Sequence, residues 1–217
     1  MDIHTEYDPE AITPLCGIMN TFGSDKGDGG KQGTHNYTTL YYALFKRVRF
    51  EPLHIFELGL GTNNTDVPSN MGPLGQPGAS LRGWREYFPN AQIYGADIDD
   101  RVLFQEDRIQ TFACDQTSPE SIEQLWSNFP TTSFDILIED GLHTFEANVC
   151  FFEHSIHKVK PEGVYIIEDI SVDDIPKFEA KIPEWKSRWP HLDFRLENIP
   201  YVRSQQGNVV LLVKNRA

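Results

Sequence analysis

The chain has 217 residues, 39% of them hydrophobic, which is enough for one sizeable core and short for two independent ones. Lysine and arginine number 19 against 32 aspartates and glutamates, a formal charge of -13; the basic footprint that holds a phosphate backbone is missing, which argues against nucleic acid as a partner. No apolar run approaches the roughly 20 residues that cross a bilayer, so no membrane span is expected.

The acidic opening "MDIHTEYDPE" lacks the basic start and apolar stretch of a signal peptide. Cys16, Cys114 and Cys150 lie far apart with no CxxC pair, and free thiols in a reducing, cytoplasmic setting are expected. A short helix is predicted over 9–21. "GSDKGDGGKQGTH" at 23–35 carries five glycines and reads as a flexible or ligand-shaped loop. Helical spacing resumes in "NYTTLYYALFKRV", and residues 1–50 are assigned as an N-terminal helical or lid segment before a domain at 51–217.

From there strands and helices alternate: strand 53–58, helix 79–88, strand 92–96, strand 108–113, helix 119–128, strand 134–138, helix 144–157 and strand 163–167. Strands separated by helical segments imply parallel crossovers. Ser118 followed by Pro119 and Glu120 has the form of an N-cap, and Pro161 with Gly163 is read as a helix-to-strand turn. The loop at 59–77 is unusually long, a length more often functional than decorative. At the end, "LDFRLENI" and "NVVLLVKN" are separated only by "PYVRSQQG", which suits an antiparallel hairpin.

Three strand ends carry polar residues suited to a ligand. "FELGLGTNN" places Glu57, Gly59 and Gly61 where the first strand finishes; glycines there let backbone amides approach a ligand, or simply make a tight turn. The dinucleotide fingerprint would require a third glycine at position 64, which is Asn64. "YGADIDD" offers Asp97 to ribose hydroxyls, and "FACDQTS" offers Asp115 and Gln116 to an adenine edge. Three such positions at successive strand ends point to an adenosine-bearing cofactor.

Together these features resemble the class I S-adenosylmethionine-dependent methyltransferases: a Rossmann-like α/β fold with a seven-stranded, mostly parallel sheet, a C-terminal antiparallel hairpin and helices on both faces. More narrowly, "FGSDKG…HNYTTLY", "GASLRGWREYFPNAQIYGADID", "FDILIEDGLH" and "GVYIIED" resemble the metal-dependent sugar O-methyltransferases of macrolide, antibiotic and surface-polysaccharide pathways. The resemblance runs from about Gly23 to Asp169. It implies a divalent cation on Asp140, Glu168 and Asp169, with His143 as general base. It also implies methionine-moiety contacts around Glu57, Gly59 and Gly61, ribose on Asp97, adenine beside Asp115 and Gln116, and Lys26, His35 and Tyr37 folding over the cofactor. The insertion at 62–77 departs from that pattern.

The strands ending at 138 and 167 are expected to be parallel neighbours, about 5 Å apart, bringing Asp140 to Glu168 and Asp169. Three packed carboxylates repel one another unless a cation lies between them. Oxygen ligands favour a hard ion, with magnesium the default. His143, with a reference pKa of about 6.5, can accept a hydroxyl proton at neutral pH. Glu139 is assigned a supporting, cofactor-side place. The expected activity is metal-assisted methylation of a hydroxyl on a sugar or other small polyhydroxylated acceptor, in a protein that can form homo-oligomers. The alternatives are a nicotinamide-dependent sugar oxidoreductase or epimerase, and a non-catalytic nucleoside-binding module.

Overall fold

Alternation of apolar residues along each strand builds a two-sided core. Ile55, Ile93, Ile136, Ile138 and Ile166 pack into one buried cluster with residues of the first three helices, whereas Phe56, Leu58, Leu137, Tyr165 and Ile167 pack into another with the last three. Each strand therefore needs cover on both faces, as the helical crossovers of a parallel sheet provide. The computed structural model that shows this describes residues 1–27, 35–200 and 208–217. The middle of the glycine-rich stretch, at 28–34, and most of the connection between the last two strands, at 201–207, lie outside the described residues.

The helices are α1 (Pro14–Phe22), α2 (Tyr37–Phe45), α3 (Ala79–Tyr87), α4 (Pro119–Ser127), α5 (Phe145–Ser155) and α6 (Ile175–Arg188). The strands are β1 (His54–Leu58), β2 (Gln92–Asp97), β3 (Gln105–Glu106), β4 (Ile109–Ala113), β5 (Phe134–Glu139), β6 (Val159–Ile170), β7 (Leu192–Asn198) and β8 (Val209–Asn215). They form one sheet in the order β3-β4-β2-β1-β5-β6-β8-β7, parallel from β4 through β6, with β8 antiparallel to both β6 and β7. The order reverses between β1 and β5. Ligands of open α/β sheets settle outside the carboxyl ends of strands at such a reversal.

The expected alternation, the C-terminal hairpin and the Ser118 cap are present; the Ser118 hydroxyl accepts from the Ser121 amide. Trp84, Tyr87 and Phe88 are buried in the core, as their spacing predicts. The sheet has eight strands rather than seven, because two residues at its edge, Gln105 and Glu106, pair antiparallel with β4. The first helix begins at Pro14 rather than 9, where Thr13 caps it. Pro161 and Gly163 do not mark a turn into β6 but lie inside it, where the ladder to β5 shifts register. Helix α6 has no counterpart in the sequence analysis; it carries Pro176 in its first turn, where proline is tolerated, and Pro183 in its interior, where proline is unusual. No helix among the described residues is long and apolar enough to cross a membrane.

Candidate active site

The turn after β1 is built by glycine for steric reasons. Gly59 and Gly61 adopt φ of +90° and +74°, and a Cβ on Gly59 would stand 1.9 Å from the Asp140 carbonyl oxygen. The backbone of β1 can therefore lie directly against the end of β5. Asp97 braces the turn from β2: its carboxylate accepts from the Leu60 amide at 2.7 Å and from the Asp99 amide at 2.9 Å. A cavity of about 200 Å³ opens here, bounded by Gly59, Gly61, Asp97, Asp115, Gln116 and Leu142. Five of the expected cofactor residues, Gly59, Gly61, Asp97, Asp115 and Gln116, share its wall. The Gln116 amide is already engaged, donating to Glu139 at 3.0 Å and accepting from the Leu142 amide at 2.7 Å.

A second cavity, of about 350 Å³, adjoins the first along Gly59, Gly61, Ser69 and Asp140, and is bordered also by Lys26, His143 and Asp169. Pairing of Glu139 with Ile167 brings Asp140 beside Glu168 and Asp169. One ligand-capable atom each from Asp140, His143 and Asp169 lies within 4.8 Å of the others, and His143 Nε2 is 4.0 Å from Asp169 Oδ2. Two carboxylates and an imidazole at that spacing suit a divalent cation. His143 and Asp169 also hold φ of +59° and +51°, a left-handed backbone that costs L-residues roughly 1–2 kcal/mol each. Such strain persists where surrounding structure fixes it, and it gathers at functional sites.

The N-terminal segment supplies donors to these acids. Lys26, completely buried, donates to Asp140 and, at 2.5 Å, to Glu168; its ammonium is also 3.8 Å from Glu57. Burial opposes its charge, but Asp140, Glu168 and Glu57 outweigh that and hold its pKa well above the usual lysine range. Tyr37 donates to Asp169 at 2.5 Å and Tyr41 to Glu168 at 2.6 Å, one helical turn apart on α2. Burial and the adjacent carboxylates push both phenols up, keeping them protonated donors. His35 stacks on Tyr37, with Nδ1 3.5 Å from Asp169.

Lys26, His35 and Tyr37, expected over the cofactor, thus lie on the acidic cluster, where Lys26 also borders the second cavity. Glu57 is sealed behind the glycine turn, accepting from Ser80 and from the indole of Trp84. Tyr41, Ser80 and Trp84 escape a reading by sequence because they act on acids far away along the chain; helical spacing marks Tyr41 and Trp84 only as core. Ser69, within the 62–77 insertion, is a second kind of miss. It lines both cavities at φ of +57°, and its hydroxyl donates to the Leu142 carbonyl at 3.1 Å.

No protein-family model matches the chain. It is 31% identical over 173 residues to 8-demethyl-8-alpha-L-rhamnosyl tetracenomycin-C 2'-O-methyltransferase of Streptomyces olivaceus, a match covering 80% of this chain and 42% of that one. It is also 31% identical over 156 residues to demethylmacrocin O-methyltransferase of Streptomyces fradiae, covering 72% and 33% respectively. The chain therefore spans less than half the length of these curated relatives. Among solved structures, the MycE methyltransferase from the mycinamycin biosynthetic pathway, in complex with Mg and SAH, superposes with a TM-score of 0.69 at 26% identity, over 95% of this chain and 56% of MycE. In fold the chain is a class I methyltransferase, and in sequence it is a homologue of the sugar O-methyltransferases of macrolide and polyketide pathways.

Proposed function

We propose that the chain transfers a methyl group from S-adenosylmethionine to a hydroxyl of a sugar or other small polyhydroxylated acceptor, assisted by a divalent cation such as magnesium. The observation that carries this reading is that the Asp140–His143–Asp169 cluster borders the same cavity system as the glycine turn and Asp97, across Gly59 and Gly61. The relatives' methylation of sugars and the Mg and SAH bound by MycE support it. A bound divalent cation would lower the pKa of an acceptor hydroxyl.

The chain's own part is alignment and proton transfer. The acceptor oxygen bonds to the methyl carbon, the carbon–sulfur bond breaks with its electron pair going to sulfur, and the hydroxyl proton passes to His143 Nε2. His143 is only partly exposed, and its Nδ1 is buried without a partner among the described residues. With its proton on Nδ1, the imidazole would offer Nε2 as the acceptor. Buried Leu58 gives the cavity an apolar wall beside the glycine turn, against which a donor would be aligned. The low basic content argues for a small-molecule acceptor rather than nucleic acid, and the free cysteines fit a cytoplasmic setting.

The test is methyl transfer to a deoxysugar-bearing acceptor. Chelation abolishes turnover and added magnesium restores it, while His143→Ala lowers turnover by about 10²–10⁴-fold with SAH affinity retained. Thermal stabilisation by NAD and not by SAH would refute the reading in favour of the oxidoreductase alternative.

A further inference from the structure

The two cavities of the site share the lining residues Gly59, Gly61, Ser69 and Asp140. All of these belong to two short runs of chain, 58–69 from the end of β1 into the insertion, and 140–142 just past β5. The runs are joined at two places. At the sheet, the Asp140 amide donates to the Leu58 carbonyl at 2.9 Å, and Gly59 lies so close to Asp140 that no Cβ fits between them. At the surface, the Ser69 hydroxyl donates to the Leu142 carbonyl at 3.1 Å. The chain therefore closes a ring round the neck between the cavities, made of backbone on the sheet side and of an exposed hydrogen bond on the other.

The insertion is folded so as to hold that bond in place. Thr62 and Asn64 tie its start to Asp99, and the Met71 amide returns to the Thr62 carbonyl at 2.8 Å. Between them the chain turns, with the Val67 amide donating to the Asn64 carbonyl at 3.1 Å and Asn70 Nδ2 to the Val67 carbonyl at 3.0 Å. Ser69 lies in this turn with a left-handed backbone, φ +57°, and the facing segment carries His143 at +59°. Strained residues on both sides of a passage persist because their surroundings fix them.

A methyl donor that keeps its adenosine in the smaller cavity, against Asp97, has to carry its sulfonium through the neck to meet an acceptor beside His143. We propose that the Ser69–Leu142 bridge is a strap over that donor: the bound donor is threaded through the ring, and it enters or leaves only while the bridge is open. This rests on the methyl-transfer reading above and adds to it the step that gates donor exchange. Ser69 is a positioning residue here, acting through Leu142. The bond is exposed, so water replaces it when it opens, and it re-forms over S-adenosylmethionine before transfer and over SAH after it. Both partners belong to the chain itself, so the bridge is equally strong in the free and the occupied protein. Removing it therefore speeds entry and exit alike and leaves affinity unchanged.

Stopped-flow binding and displacement of SAH, in the full wild-type chain and in Ser69→Ala, tests this. Alanine keeps the Cβ and removes only the hydroxyl. Loss of one neutral hydrogen bond is expected to raise the association and dissociation rate constants together by about fivefold, with the calorimetric Kd within about twofold of wild type. Adenosine, which fills the smaller cavity without crossing the neck, should exchange equally fast in both proteins by nuclear magnetic resonance line broadening. Faster SAH dissociation with a matching loss of affinity would make Ser69 a direct donor contact and overturn the strap. Unchanged SAH rates overturn it too, as does adenosine accelerated as much as SAH, which would make the insertion a general cover. Failure of SAH to bind wild type at all refutes the methyl-donor reading, and the inference with it.

Discussion

Glu139 closes β5 and is held by Gln116, beside the acids of the proposed cation site. One oxygen accepts from Gln116 at 3.0 Å, and the other is buried with no partner among the described residues. Burial pushes its pKa from 4.5 up to about 7, against the opposing influence of Gln116 and His143. The folded chain keeps a proton that the unfolded chain releases, so this contribution is fully present below pH 4.5 and is lost as pH rises through 7. Glu139→Gln, which keeps the shape and drops the charge, is therefore expected to exceed wild type in stability by about 2–3 kcal/mol at pH 8.5, with the gain shrinking toward pH 5. Urea unfolding at both pH values measures it, and a pH-independent difference would contradict the assignment.

The insertion is an ordered element without regular secondary structure. Thr62 and Asn64 donate to Asp99 at 2.6 and 2.7 Å, Asn63 donates to the Gly75 carbonyl at 3.0 Å, and Met71 packs so tightly under Gly61 and Gly75 that neither could carry a Cβ unless Met71 shifted. The segment follows the glycine turn after β1, is tied to Asp99 just past β2 and reaches Leu142 after β5, forming with Val67, Pro68 and Ser69 one wall of the smaller cavity. Replacing residues 63–76 by a short glycine-serine link should raise the SAH dissociation rate about tenfold or more while the core still unfolds cooperatively. Stopped-flow displacement supplies the rate.

At this scale the sequence is informative where periodicity is strong. The alternation in "FDILIEDGLH" and "GVYIIED" announces two adjacent buried strands, and the register confirms that Asp140 and the Glu168–Asp169 pair meet. It is silent about α6, a helix that carries a proline in its interior and whose Phe178 and Trp185 are fully buried. Nor does any local pattern say that Lys26 will travel to Asp140, 114 positions away. Pairings between distant segments are decided by packing of the whole core, and residues in an apolar helix advertise burial before they advertise a hydroxyl.

Over the whole molecule, the N-terminal segment is part of the core that supports the site. Ile3, Leu15, Met19, Tyr37, Leu40, Tyr41 and Phe45 share one buried cluster with Ile55, Leu81, Trp84 and Ile93. Each large apolar side chain so buried contributes about 1.5–3 kcal/mol. Removing residues 1–50 would expose the facing side of the sheet and leave Glu168 without Tyr41 and Lys26. The truncated chain 51–217 is expected to lose near-ultraviolet circular dichroism and to bind a hydrophobic dye, rather than to persist as a native domain that merely lacks a lid.

The ladder between β6 and β8 skips from Ile167 to Ile170, so Asp169 falls where the sheet has shifted register. Its amide donates instead to the Tyr37 hydroxyl at 3.3 Å, while the same hydroxyl donates to its carboxylate. A side chain of α2 thus stands in for a strand neighbour at one residue. Exchange of the Asp169 amide with deuterated solvent should follow the undocking of α2 rather than the slower opening of the sheet around it. A single proton inside the site thereby becomes a clock for how often the N-terminal segment lifts away.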